Sequence, residues 1–140
     1  MTNLSFEDYN FEVINVENTG NNLLTINKNA LTFDKSIADA LGYPSHIKLL
    51  LDRENKVFAI QSCKSTTSKS IAFSKTESQQ KGSVKLQSSA IRNALRIIMK
   101  DSWNDDMRYQ IKGRFIPERK VFIFDLKMFK EIPPHKKKKN

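Results

Sequence analysis

The chain has 140 residues, with 24 Lys and Arg against 15 Asp and Glu and a formal net charge of +9. That length holds one compact domain or two very small ones, and the charge bears on partners and solubility rather than on fold. Cys63 is the single cysteine, which excludes an internal disulfide and fits a reducing compartment. Residues 1–20 carry four acids and no base, unlike a secretory signal or a transit peptide, and no apolar run approaches the ~18 residues of a membrane span. The expectation is a cytoplasmic protein with no membrane segment.

Taken in order, Phe11–Val16 is β-branched and alternating and predicts a strand. Asn18–Asn22, with Gly20, predicts a turn. Leu23–Phe33 predicts an extended stretch marked by Leu24, Ile26, Leu31 and Phe33. Asp34 is placed to cap a short helix over Lys35–Leu41, which Gly42 ends at the C′ position and Pro44 prevents from continuing. His46–Leu51 and Lys56–Gln61 predict a hairpin about a polar turn at Asp52–Asn55. Residues 62–82 are rich in Ser, Thr, Lys and Gln, with enough apolar content at Ser70–Ser74 for a short strand. Val84–Leu86 predicts another strand, and Ser88 or Ser89 caps a second helix running to about Ser102. Its apolar set, Ile91, Ala94, Leu95, Ile98 and Met99, has helical spacing. Met107–Lys112 alternates, Gly113–Arg119 predicts a loop, and Lys120–Leu126 alternates again with Phe122 and Phe124 on one face.

The two halves repeat one another. Leu31–Ser36 and Ile37–Leu41 lie over Val84–Ser89 and Ile91–Leu95 with one residue inserted, and Lys56–Ile60 lies over Lys120–Phe124. Two copies are too few for a solenoid and instead predict a pseudo-twofold arrangement. The predicted fold class is α+β, mainly β, built from tandem β-β-α-β-β units. Residues 1–62 form the first repeat, 63–130 the second with its longer helix, and 131–140 a disordered basic tail.

Leu31–Tyr43, followed by a strand at Ile47–Leu51, a turn and a strand at Val57–Ile60, resembles the AbrB/SpoVT-type swapped-hairpin domain. The resemblance covers about thirty residues of the first half and is topological in the second; a tandem of this kind resembles MraZ-like proteins. It implies a swapped-hairpin-like barrel or pseudo-twofold domain, either a monomeric pseudo-dimer or a homodimer, with DNA bound by basic residues on one face. The first half departs from the family's pattern: Asp34 stands where a proline is usual, Asn29 and Ala30 stand where a Gly-Arg pair is usual, and Asp39 lies in a helix that is usually arginine-bearing. The implied contacts therefore fall on the second half.

Charge placement points the same way. Residues 61–100 carry eight bases and one acid, and residues 127–140 carry six bases and one acid. In the second helix Arg92, Arg96 and Lys100 share one face at i, i+4 and i+8, with Asn93 beside them, and an acid-free face is unlike one that is merely solvated. Arginine and asparagine can read base edges. Lys81 and Lys85, together with Lys64, Lys69 and Lys75, suit phosphate contacts that carry no sequence information, although edge-strand lysines also serve to block aggregation. Lys136 and Lys137 of the tail suit a phosphate-gripping arm whose affinity falls with salt.

Signs of catalysis are sparse. His46 and His135 are the two histidines, neither in a local pattern with Cys63; Cys–His chemistry would need the two brought together in space. There is no glycine-rich phosphate loop, no metal-ligand cluster, and Asp105–Asp106 predicts a turn. No cofactor is expected. The sequence thus points to a DNA-binding regulatory protein of a bacterial, phage or mobile-element genome, with duplex DNA as partner. The alternative is a small protein-binding accessory factor or inhibitor acting on a nucleic-acid-handling protein.

Overall fold

The structure, a computed structural model, describes residues 21–134; the strand expected at Phe11–Val16 and the lysine tail lie outside them. Leu23–Phe33 is not one extended stretch but a hairpin. β1 (Leu23–Ile26) pairs antiparallel with β2 (Leu31–Phe33), and Asn27 N donates to Ala30 O at 2.8 Å to close the turn. Polar residues at 27–29 interrupt the alternation, so the backbone reverses there rather than continuing.

Helix α1 spans Lys35–Leu41, as its sequence signals predict. Its C-terminus is a Schellman arrangement: Gly42 takes φ +81°, Gly42 N donates to Asp39 O, and Tyr43 N donates to Ala38 O. Asp34 does not cap the helix through its side chain. Its carboxylate instead accepts from Leu23 N at 2.9 Å, anchoring the start of β1.

β3 (His46–Asp52) and β4 (Val57–Cys63) form the expected hairpin. Asp52 holds the turn, its carboxylate accepting from Asn55 N and Asn55 Nδ2; those hydrogen bonds pull the Asp52 carboxyl below its usual value. β5 (Ile71–Ala72) and β6 (Val84–Leu86) follow. Helix α2 (Ser89–Ile98) starts at Ser88, whose side chain accepts from Ile91 N. It ends before the expected Ser102, because Met99–Trp103 turns back with Ser102 N and Trp103 N both donating to Met99 O.

β7 (Arg108–Ile116) runs through the stretch expected to be a loop, and a 3₁₀ turn at Pro117–Arg119 leads into β8 (Val121–Ile132), which extends past Leu126. The β7–β8 register shifts between Ile111 and Gly113, a bulge that explains why alternation alone did not carry the strand through.

Eight antiparallel strands make one curled sheet, a half-barrel, in the order β5-β3-β4-β8-β7-β1-β2-β6. Its concave side holds the core. Leu24, Ile26, Leu31, Phe33, Ile47, Ile60, Ile111, Phe122, Phe124 and Leu126 are fully buried, with Ile37 of α1 and Leu95 of α2 beside them. Phe33 meets Phe73 edge-on at 5.3 Å and Phe124 at 5.9 Å. Residues 73–83 close the space between the two edge strands. Ser74 Oγ donates to Pro44 O, and the buried Gln80 amide accepts from Lys75 N while donating to Gly82 O and Ser83 O. No helix among the described residues is long and apolar enough to cross a membrane.

Gly113 is the tightest point of the sheet. A Cβ there would lie 2.6 Å from Phe124 Cε1 and 2.9 Å from Phe122 Cδ1. Gly113→Ala is expected to lower stability by about 1–3 kcal/mol through overpacking, measured as a shift in denaturant midpoint at unchanged slope.

Candidate nucleic-acid interface

The sequence-predicted basic residues divide into three groups. Lys81 and Lys85 are exposed, Lys81 in the loop before β6 and Lys85 in the middle of β6, where it stands opposite Thr32 of β2. Past the Ser88 cap, Arg92 Nη1 donates to Asn93 Oδ1 at 2.7 Å. Asn93 is exposed and Arg92 half-buried. Lys81 and Lys85 precede α2 in the chain, and Arg92 and Asn93 lie in its first half. Between Glu77 and Asp101 the chain has no acid to neutralise them. Lys100 is exposed just beyond the other end of the helix. Lys136 and Lys137 lie outside the described residues.

Arg96 departs from the shared face expected of it. It is 5 % exposed and lies beneath the helix. Its Nη1 donates to Asn104 O at 3.2 Å, and its Nη2 donates to Met107 O at 3.0 Å and to Asn27 O at 3.5 Å. The guanidinium carbon stands 5.8 Å from the centroid of the Tyr109 ring. Tyr109 in turn stacks on Trp103 at 4.5 Å and 7°. Three carbonyls from two separate loops converge on one planar donor, which suits arginine and not lysine. Burial pushes the Arg96 guanidinium below its usual value, with the neighbouring charge of Arg92 adding to the effect; arginine still keeps its proton. The sequence carried one signal for this role: a base in the last turn of α2, where cations meet unpaired helix and loop carbonyls.

The aromatic side chains nearby are committed to the core. Tyr109 is fully buried, its hydroxyl donating to Glu131 Oε1 at 2.8 Å and lying within hydrogen-bonding distance of Asn104 N. Burial raises its pKa, and the Glu131 carboxylate raises it further. Phe115 stacks on Phe122 at 5.1 Å. Trp103 is 7 % exposed and seals this end of the core.

His46 and Cys63, unrelated in sequence, are direct partners across β3 and β4. The His46 ring Nδ1 lies 3.0 Å from Ser45 Oγ, and the Cys63 thiol is half-buried. The described clefts lie elsewhere. One, of about 750 Å³, opens beside Lys100, Asp101, Asp105 and Asp106 at the C-terminal end of α2. Another, of about 230 Å³ and nearly all apolar, lies between α2 and the β3–β4 hairpin, against Leu49, Leu51, Phe58, Ile91 and Leu95.

The two ends of α2 therefore differ in charge. Along the chain, residues 78–100 carry no acid, while at the C-terminal end Asp101, Asp105 and Asp106 gather around Lys100. No family model, curated protein or solved structure matches the chain.

Arg96→Ala is expected to lower stability by about 2–4 kcal/mol, because three carbonyls lose a charged donor. Arg92→Ala should cost less than about 1 kcal/mol. Chemical denaturation of both variants checks the contrast.

Proposed function

We propose that the chain is a tandem pair of β-β-α-β-β units folded as one pseudo-twofold, swapped-hairpin-like unit, and that it acts as a duplex-DNA-binding regulatory protein. The strand pairing supports the tandem part. Exchange β1 with β5, β2 with β6, β3 with β7 and β4 with β8. The β1–β7 pair then becomes the β3–β5 pair, the β3–β4 hairpin becomes the β7–β8 hairpin, and the β2–β6 and β4–β8 pairs return to themselves.

The registers follow the same exchange. Leu31↔Leu86 and Phe33↔Val84 swap about Thr32↔Lys85, and Phe58↔Phe124 and Ile60↔Phe122 swap about Ala59↔Ile123. Ser62 N donates to Lys120 O and Leu126 N to Lys56 O, both at 3.0 Å. Lys56 and Lys120 both take left-handed φ, at 57° and 50°. This is the residue match seen between Lys56–Ile60 and Lys120–Phe124. The β1–β2 pair alone lacks a counterpart among the described residues, since residues 73–83 occupy the place of a β5–β6 ladder.

The DNA part rests on one observation: the acid-free stretch of chain from Ser78 to Lys100, which holds Lys81, Lys85, Arg92 and Asn93. Its unneutralised charge favours a polyanion, and its arginine and asparagine have the hydrogen-bonding groups that read bases in a major groove. Arg96 ties the last turn of α2 to the loops beneath it rather than touching DNA. The nearly all-apolar cleft beside α2 is the observation that favours a protein partner instead.

Wild-type protein is expected to shift duplex DNA in a gel, with affinity falling steeply as salt rises. Arg92→Ala with Asn93→Ala should weaken binding about tenfold or more, since each base contact contributes about 1–3 kcal/mol. Unchanged affinity in that double variant removes the corner as a contact. A partner retained on the protein after nuclease digestion argues for the protein-binding reading. Sedimentation should give the mass of one chain, 16.2 kDa, because both units lie in the same polypeptide.

A further inference from the structure

We propose that the outer face of β6, β2, β1, β7 and β8 is a second contact surface for duplex DNA, one that grips the backbone and ignores sequence. This rests on the DNA reading above and extends it beyond α2. The strand registers align one row of side chains across five strands. Lys85 stands opposite Thr32, Thr32 opposite Thr25, Thr25 opposite Gln110, and Gln110 opposite Lys130. Lys112 lies two residues along β7 on the same face. The three lysines are exposed, and Thr25, Thr32 and Gln110 are half-exposed.

The row contains no acid. Glu131 accepts from the Tyr109 hydroxyl on the core side of the sheet, and Asp34 accepts from Leu23 N. Charge complementarity therefore specifies the occupant. Lysine ammonium groups act as point charges for phosphate, and hydroxyl and amide side chains add hydrogen bonds to phosphate and sugar without reading bases. Five strands spaced about 4.8 Å apart put Lys85 and Lys130 roughly 19 Å from each other. That span exceeds the ~12 Å width of a major groove, so the ends of the row can reach phosphates on both sides of it.

The test is a gel-shift titration of the full chain across salt on two unrelated duplexes, comparing wild type with Lys112→Ala/Lys130→Ala and with Lys112→Arg/Lys130→Arg. The alanine pair should weaken binding equally on both duplexes. It should also flatten the log–log salt dependence by about 1.8, at roughly 0.9 per lost phosphate contact. The arginine pair should retain the wild-type slope. An alanine pair with wild-type affinity and slope overturns this surface while leaving DNA binding at the α2 corner standing. A loss confined to one duplex overturns its indifference to sequence. A wild-type protein that shifts neither duplex at any salt removes the DNA reading itself, and this surface with it. Unfolding midpoints equal to wild type separate a lost contact from a damaged fold.

Discussion

The ladder between β4 and β8 holds the two sides of the sheet together. Without it, β5-β3-β4 and β8-β7-β1-β2-β6 would be separate sheets, each with an open apolar face. Phe58 and Ile60 stand opposite Phe124 and Phe122, all four essentially buried, and each large side chain contributes about 1.5–3 kcal/mol by leaving water. The ladder is clamped at both ends by the paired hydrogen bonds to Lys120 O and Lys56 O. Both carbonyls belong to residues in left-handed turns. Two hairpin turns thus set the register of the strands that join the hairpins.

Much of this was legible from local signals. Helix α1 follows from the apolar spacing of Ile37 and Leu41 and the Gly42 stop, although the Asp34 carboxylate expected to cap it accepts from Leu23 N instead. The start of α2 follows from Ser88, and the β3–β4 hairpin from its polar turn. The alternation of Phe122 and Phe124 against Val121 and Ile123 separated the two faces of β8 without saying which of them points inward. What local pattern missed depended on partners distant in the chain. Leu23–Phe33 read as one extended stretch because both arms are apolar; the reversal is visible once β7 and β6 pair on either side. Gly113 and Pro117 read as loop residues, yet Gly113 is required because Phe122 and Phe124 cross there.

Of the proposed contact residues, Lys81, Lys85 and Asn93 are exposed, Arg92 is half-buried, and Arg96 is internal. Helical spacing put Arg96 on one face with Arg92 and Lys100, but spacing cannot reveal that α2 ends at Ile98 or that carbonyls of Asn27, Asn104 and Met107 meet at the Arg96 guanidinium. The same guanidinium ties the β1–β2 turn to the loop after α2. A side chain expected to meet a ligand instead fixes the orientation of the helix that carries the neighbouring candidates.

The interleaved strand order has a consequence for synthesis. β1 pairs with β7, so Ile26 must wait for Tyr109, about eighty residues later; at ~5–20 residues per second the delay is roughly 4–16 s. β2 likewise waits for β6, and β4 for β8. During that interval the first hairpins carry apolar strands without their final neighbours, and such unpaired edges are prone to aggregate. The chain therefore cannot complete its first half before its second half has emerged from the ribosome, and contacts this distant in sequence slow the closing steps of folding.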